Sequence, residues 1–234
     1  MIERKLHYLW IGKNPKPNLL HICLNSWREK LPDYEIIEWN DDNLNLEQEF
    51  KRNRYLRECY SRKLWAFLSD YMRLRVLYDK GGIYLDTDMQ LLKSLDIFRE
   101  NSLFLGYEDK GSIAAGIIGA RVKHPFLKKM LDFYDKEIWD VNRFTLPAIF
   151  TYVFEKYYTD ELLKKEGIKI YPREYFYPYH YTEEFYPECI KKNTYAVHWW
   201  AKNWGSVKGE AFLRKKHLKG IKKYANVFFK KVRI

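Results

Sequence analysis

A chain of 234 residues, 47% of them hydrophobic, can bury a core of its own, which excludes a disordered polypeptide. No stretch approaches the roughly 20 apolar residues of a membrane span. The three cysteines, Cys23, Cys59 and Cys189, are odd in number and lack metal-ligand spacing, which points to free thiols in a reducing, cytoplasmic setting. The 42 Lys and Arg against 31 Asp and Glu leave a formal charge of +11, which favours anionic partners: nucleic acid, anionic lipid or phosphorylated small molecules.

The opening "MIERKLHYLWIGKNPKP" alternates and then turns, so it reads as a first strand and loop and not as a signal peptide. Helical spacing through Leu20, Cys23, Leu24 and Trp27 predicts a helix that ends before Pro32, and "YEIIEW" a second strand, as at the start of a βαβ unit. From about Asn53 to Lys80 the apolar residues recur at three- and four-residue steps through Leu64, Phe67, Leu68, Tyr71, Leu74 and Tyr78. This predicts one long helix, with Arg57, Arg62 and Lys63 on its outer side. Gly81 and Gly82 end it where a left-handed backbone is needed, and "IYLD" follows as a third strand. "SLFLGYE" and "SIAAGIIGA" predict two more strands. "HPFLKKMLDFYDKEIW", with Pro125 in its first turn, and "TLPAIFTYVFEKYY" predict helices. "IKIYP" and "TYAVHWW" predict short late strands. Residues 206–234 read as a basic amphipathic helix, with no acidic residue after Glu210. That helix either packs on the domain by its aromatic face or lies on an anionic membrane surface.

The stretch "GGIYLDTD" closes on Asp86 and Asp88. If the strand persists to Asp88, residues two apart face the same way, and two carboxylates so close each resist ionising. A hard divalent cation, Mn²⁺ or Mg²⁺, resolves the repulsion and carries ligand phosphates with it. The bland alternative is a solvated turn, since a three-residue D-x-D is weak by itself. Asp70 and Arg73 share a face of the preceding helix, either as a simple ion pair or as one wall of a polar ligand site.

The 20 residues "SDYMRLRVLYDKGGIYLDTD" resemble, spacing for spacing, the signature of the family 32 type glycosyltransferases. That family includes initiating α-mannosyltransferases and capsular-polysaccharide transferases and is distantly similar to large glucosylating toxins. "KLHYLWIGKNPKP", "LGYEDKGSIAAGIIGARVKHPFL" and "YAVHWWAKNW" are similar to its opening, middle and late motifs. The resemblance implies an α/β GT-A fold, with a mixed central sheet flanked by helices, over residues 1–205. It implies retaining transfer of a hexose from a nucleotide-sugar, a UDP-sugar or GDP-mannose, to a saccharide or lipid-linked oligosaccharide acceptor, in surface or capsular polysaccharide synthesis. By residue, it implies that Trp10 stacks on the base and that Asp70, Arg73, Tyr84 and Asp86 bind the donor. Asp88 is then the direct metal ligand, with Asp86 and His198 able to join it, and Trp204 lies near the departing phosphate. Asp86, Asp88 and Arg73 carry the catalytic role. Two departures bear on the site: Trp199 replaces a histidine and Asn203 a serine, so His198, Asn203 or water completes the metal shell. Ala114, Ala115 and Gly116 stand where an asparagine-containing loop is expected against the sugar.

Glu108 and Asp109, after a predicted strand, either face the anomeric carbon or sit in a surface turn. Three rival readings were weighed. A haloacid-dehalogenase-type phosphatase also ends a strand on D-x-D, but there Gly-Thr follows, where this chain has Met89 and Gln90. A basic nucleic-acid module would account for the charge but not for the carboxylate pair, so no nucleic acid is expected. A toxin-like transferase acting on protein stays open as the alternative, less favoured because the chain is short for delivery domains.

Overall fold

The computed structural model describes residues 1–201 and 207–217. Strand β1 (Lys5–Leu9) leads into α1 (Asn18–Lys30) and β2 (Glu35–Trp39). Then come α2 (Leu46–Arg52), α3 (Arg54–Ser61), α4 (Trp65–Lys80), β3 (Gly82–Leu85) and β4 (Met89–Leu91). Strands β5 (Leu103–Asp109), β6 (Ser112–Ile113) and β7 (Ile117–Ala120) precede helices α5 (Pro125–Lys136), α6 (Leu146–Tyr157) and α7 (Asp160–Glu166). The described chain ends with β8 (Ile168–Tyr171), β9 (Ala196–His198) and α8 (Val207–Lys215).

The main sheet has seven strands in the order β2-β1-β3-β7-β5-β6, with β8 on the other side of β5. It is mixed: β1 runs parallel to β2 and β3, β7 is antiparallel to β3 and β5, and β8 is parallel to β5. The last residues of β1, β3 and β5 and the first of β7 therefore lie along one sheet edge. One apolar layer, from α3 through α6, packs on one face; α1 and the segments around β4 and β9 pack on the other. Strands β4 and β9 form a separate antiparallel pair in which Met89 faces His198.

Where the fold departs from the sequence reading, the cause is local. The single helix expected over Asn53–Lys80 is two, because Lys63 adopts a left-handed φ of 55° and the chain restarts at Trp65. The third strand stops at Leu85, so Asp86–Asp88 is a turn and not a continued strand. The short α2 and α7 carry N-caps, Asn45 and Thr159, that the apolar periodicity does not reveal. Of the helix expected over 206–234, the described residues show α8, Val207–Lys215, with Leu213 buried, followed by a turn at 216–217; residue 206 and residues 218–234 lie outside the described residues. No helix among the described residues is long and apolar enough to cross a membrane.

The glycine pair does what its position requires. Gly81 and Gly82 have φ of 63° and 99°, and a Cβ on Gly82 would sit 2.7 Å from the Lys5 carbonyl oxygen. Below them, fully buried His7 accepts from Trp39 Nε1 at Nδ1 (3.1 Å), so Nε2 carries the proton and donates to the Gly81 carbonyl (2.8 Å). Burial drives the His7 pKa down to about 4, so this imidazole is a neutral strut that ties the end of α4 to β1.

Candidate active site

Two walls meet at the sheet edge. The first is built by α4 and β3. Arg73, 4% exposed, projects from α4 between two carboxylates: Asp70 Oδ1 at 3.1 Å and Asp86 Oδ1 at 3.1 Å. It also donates to the Ala115 carbonyl at 2.8 Å, and its guanidinium lies 4.6 Å from the centre of the Tyr84 ring. Tyr84 donates its hydroxyl to Asp86 Oδ1 at 2.8 Å. Burial, partly offset by Arg73, raises the Asp70 pKa to about 7. Burial works against the Arg73 charge, but Asp86, Tyr84 and Asp70 together hold its pKa above the usual range.

The second wall is built by the turn after β3 and by β9. His198 Nε2 lies 3.1 Å from Asp88 Oδ1, while Ala201 donates its N–H to Oδ2 at 2.8 Å and Trp199 donates to the Asp88 carbonyl at 3.0 Å. Burial disfavours both charges, yet mutual attraction holds the Asp88 carboxyl below its usual range and lifts the His198 imidazole above its own. The expectation that each aspartate of the pair resists ionising therefore fails at Asp88. The turn aims it at a histidine and a backbone N–H, and it is Asp70 whose pKa rises.

Asp86, Asp88 and His198 each offer a ligand atom, all within 4.8 Å of one another, and His198 Nδ1 is buried with no partner among the described residues. Two carboxylates and an imidazole with an orphaned nitrogen fit a hard divalent cation. Trp10 stands at the end of β1 on the same sheet edge, half-buried, its Nε1 donating to the Asn14 carbonyl at 2.8 Å. Asn203 and Trp204 lie outside the described residues. Glu108 and Asp109 part company: Asp109 is exposed and caps its own turn, whereas Glu108 is half-buried, held at 2.8 Å by Ser112 Oγ, and lies within electrostatic reach of His198 and His180.

Sequence reasoning marked Gly116 but missed its neighbour Tyr177 and the bracing role of Trp27. Fully buried Tyr177 accepts from Ile117 N at 3.0 Å, and a Cβ on Gly116 would lie 3.1 Å from its hydroxyl and 3.2 Å from Asp86 Oδ2. Gly116 thus keeps a gap open between the Asp86 wall and Tyr177. Trp27 Nε1 donates to the Met89 carbonyl at 2.7 Å and braces the Asp86–Asp88 turn from below. The one signal for Tyr177 was the aromatic density of "YPREYFYPYHY", a stretch without period or motif.

Comparison with known proteins accords with this geometry. The family profile described as "Glycosyltransferase sugar-binding region containing DXD motif" matches residues 17–105, and that of the "Alpha 1,4-glycosyltransferase conserved region" matches residues 119–218. The lactosylceramide 4-alpha-galactosyltransferase of Rattus norvegicus is 34% identical over 156 residues, covering 59% of this chain and 42% of that protein. The protein of the same name from Pongo pygmaeus is 30% identical over 168 residues, covering 64% of this chain and 74% of that sequence. This chain thus spans less than half the length of the rat relative. Among solved structures, the glycosyltransferase GlyE of Streptococcus pneumoniae superimposes with a TM-score of 0.51 at 14% identity, covering 98% of this chain and 65% of that one, a likeness of fold. The fold is the mixed-sheet GT-A architecture expected from the sequence. The chain belongs to the DXD-containing glycosyltransferase family that includes the lactosylceramide 4-alpha-galactosyltransferases.

Proposed function

We propose that the chain is a metal-dependent, retaining hexosyltransferase acting on a nucleoside-diphosphate sugar, a UDP-sugar first and GDP-mannose as the alternative. On this reading the acceptor is a saccharide or lipid-linked oligosaccharide, and the product belongs to a surface or capsular polysaccharide. The observation that carries the reading is the placing of the Asp86–Asp88–His198 group against the buried Arg73 wall at one sheet edge. Anionic groups converge there beside a fixed cation, which suits a diphosphate bound through a metal and poorly suits nucleic acid. The names of the relatives specify an α-linked galactosyl product. An α-linked UDP-galactose yields that product with retention, which makes UDP-galactose with a galactoside acceptor the first pair to try.

The division of labour follows from the walls. A bound Mn²⁺ or Mg²⁺, held by Asp88, Asp86 and His198 with Asn203 as a further candidate, would neutralise the charge on the departing diphosphate. Arg73 fixes the position of Asp86 through an ion pair at 3.1 Å. Tyr84 orients the same carboxylate from beneath. Asp70 and Arg73 present hydrogen-bonding groups to donor hydroxyls, and Trp10 offers a ring to the base. Gly116 leaves room for the sugar. We read the transfer as front-face, without a covalent nucleophile. The basic residues of 206–234 suit a peripheral place at the cytoplasmic face of an anionic membrane. A calorimetric panel of nucleotide-sugars with Mn²⁺ tests the assignment: saturable, Mn²⁺-dependent binding of one of them is expected. Binding of none, or equal binding by Asp88→Ala, overturns it.

A further inference from the structure

The order of groups along the sheet edge has a direction. Trp10 closes β1, Asp86 follows β3, Gly116 precedes β7 and Glu108 lies near the end of β5, and these strands stand in that order across the sheet. With the diphosphate at Asp86 and Asp88 and the base toward Trp10, the sugar points toward Gly116. The next partner along the edge stands at Glu108.

Beside Glu108 the chain builds a run of rings that the donor site does not use. Trp200 adopts φ of 52°, a left-handed conformation that is costly for a bulky side chain and persists only where the surroundings impose it. What imposes it is the wrapping of residues 199–201 around Asp88, together with the bond from Trp200 Nε1 to the Tyr179 carbonyl at 3.1 Å. The result sets the Trp200 ring 4.1 Å from that of His198, 5.8 Å from His180 and 5.7 Å from Tyr181 (centre to centre). Tyr181 is 54% exposed, a large share for an aromatic residue beside a candidate catalytic group. The rings thus lead from the metal-binding group out to solvent. His180 Nδ1 is engaged by Thr182 Oγ1 at 2.7 Å, which leaves Nε2 for another partner, and Glu108, held by Ser112 Oγ at 2.8 Å near the end of β5, lies within electrostatic reach of His198 and His180.

A half-exposed tyrosine and a tryptophan flanked by a carboxylate and an imidazole form a surface that a pyranose recognises. The C–H face of the sugar packs on the rings while its hydroxyls donate to the carboxylate and bond the imidazole. We propose that Trp200, Tyr181, His180 and Glu108 form the acceptor subsite, which takes the terminal saccharide ring of the acceptor. This rests on the glycosyltransferase reading above for what the neighbouring site holds. The same rings would stack on a nucleotide base, and the test separates the two occupants.

Saturation-transfer NMR and calorimetry on the full chain with Mn²⁺ and UDP, using lactose, maltose and chitobiose as probes, test the subsite directly. At least one disaccharide is expected to bind the wild-type protein. Tyr181→Ala and Trp200→Ala should weaken that binding about tenfold or more, the worth of one lost ring contact, and Tyr181→Ala, away from the metal-binding group, should leave the Kd for UDP within about twofold. Glu108→Gln should weaken saccharide binding in the same sense. If Trp200→Ala fails to fold, the exposed Tyr181→Ala still decides. The assignment is overturned if no disaccharide binds, if the variants bind it as wild type does, or if Tyr181→Ala weakens UDP instead, which would make the platform a base site. Failure of the donor reading shows separately, as absence of Mn²⁺-dependent UDP binding by the wild-type chain.

Discussion

Asp86 and Asp88 are one residue apart, yet their surroundings neutralise them in different ways. The α4–β3 wall gives Asp86 a permanent cation, since Arg73 is buried, bonded to a second carboxylate and held by the Ala115 carbonyl. The β4–β9 wall gives Asp88 a titratable imidazole and a backbone N–H from a coil segment 113 residues away in sequence. An arginine cannot leave by losing a proton, whereas a histidine can give way to a metal ion. The first wall thus sets shape and charge, while the second is the exchangeable side: on the metal-dependent reading proposed above, a divalent cation would stand there in place of a proton.

Four experiments break or sharpen this contrast. Asp88→Ala removes the exchangeable side outright, and transfer and donor hydrolysis should fall about a thousandfold or more in a Mn²⁺-supplemented assay; activity near wild type would sink the metal assignment. Arg73→Met strips the fixed cation and leaves buried carboxylates unpaired, which should cost about 3–5 kcal/mol in urea unfolding; a loss under about 1 kcal/mol would put Arg73 with ordinary surface pairs. Asp70 supplies the pH signature of the same wall. Its folded pKa of about 7 lies above the ordinary carboxylate value, so its contribution to stability is complete below about pH 4 and is lost as pH rises through 7. The linkage limit is roughly 4 kcal/mol. Asp70→Asn should flatten the fall in stability between pH 4 and 8, and an unchanged slope would show that Asp70 is already ionised at low pH. His198→Ala should act least, weakening the apparent Mn²⁺ affinity about 10- to 100-fold while activity recovers at saturating Mn²⁺. Failure to recover would move His198 from holding the metal to contacting the donor.

The first wall was legible in the sequence because its parts are local. Asp70 and Arg73 share a helix face by spacing, the glycine pair announces a left-handed turn, and Asp86 follows within six residues of it. Most strands of the main sheet were legible for the same reason, as apolar runs bounded by turns, while its mixed order came from the family resemblance. What could not be read depends on contacts distant in sequence. Lys63 breaks the helix by adopting a left-handed φ without any glycine or proline to mark the spot. Strand β9 was expected within "TYAVHWW", but its partner β4 has three residues, too short for a period, and their pairing could not be read. Tyr177 and Trp200 come from a coil whose course is set by packing of aromatic side chains. The facing of Asp86 and Asp88 was anticipated from strand alternation, but a turn achieves it, and that turn sends Asp88 toward His198.

The β4–β9 pairing also bears on how the protein comes into being. Met89 meets His198 only by closing a loop of more than a hundred residues, one of the most distant pairings in the described fold and a slow kind of contact to make. The sheet, the helices on its α4 face and the Arg73 wall rest largely on contacts nearer in sequence and can settle beforehand. A nascent chain would therefore carry Asp86 already buffered by Arg73, while Asp88 waits without its histidine until residues 196–201 emerge and dock. The Asp86–Asp88–His198 group therefore exists as a unit only once β9 has docked on β4.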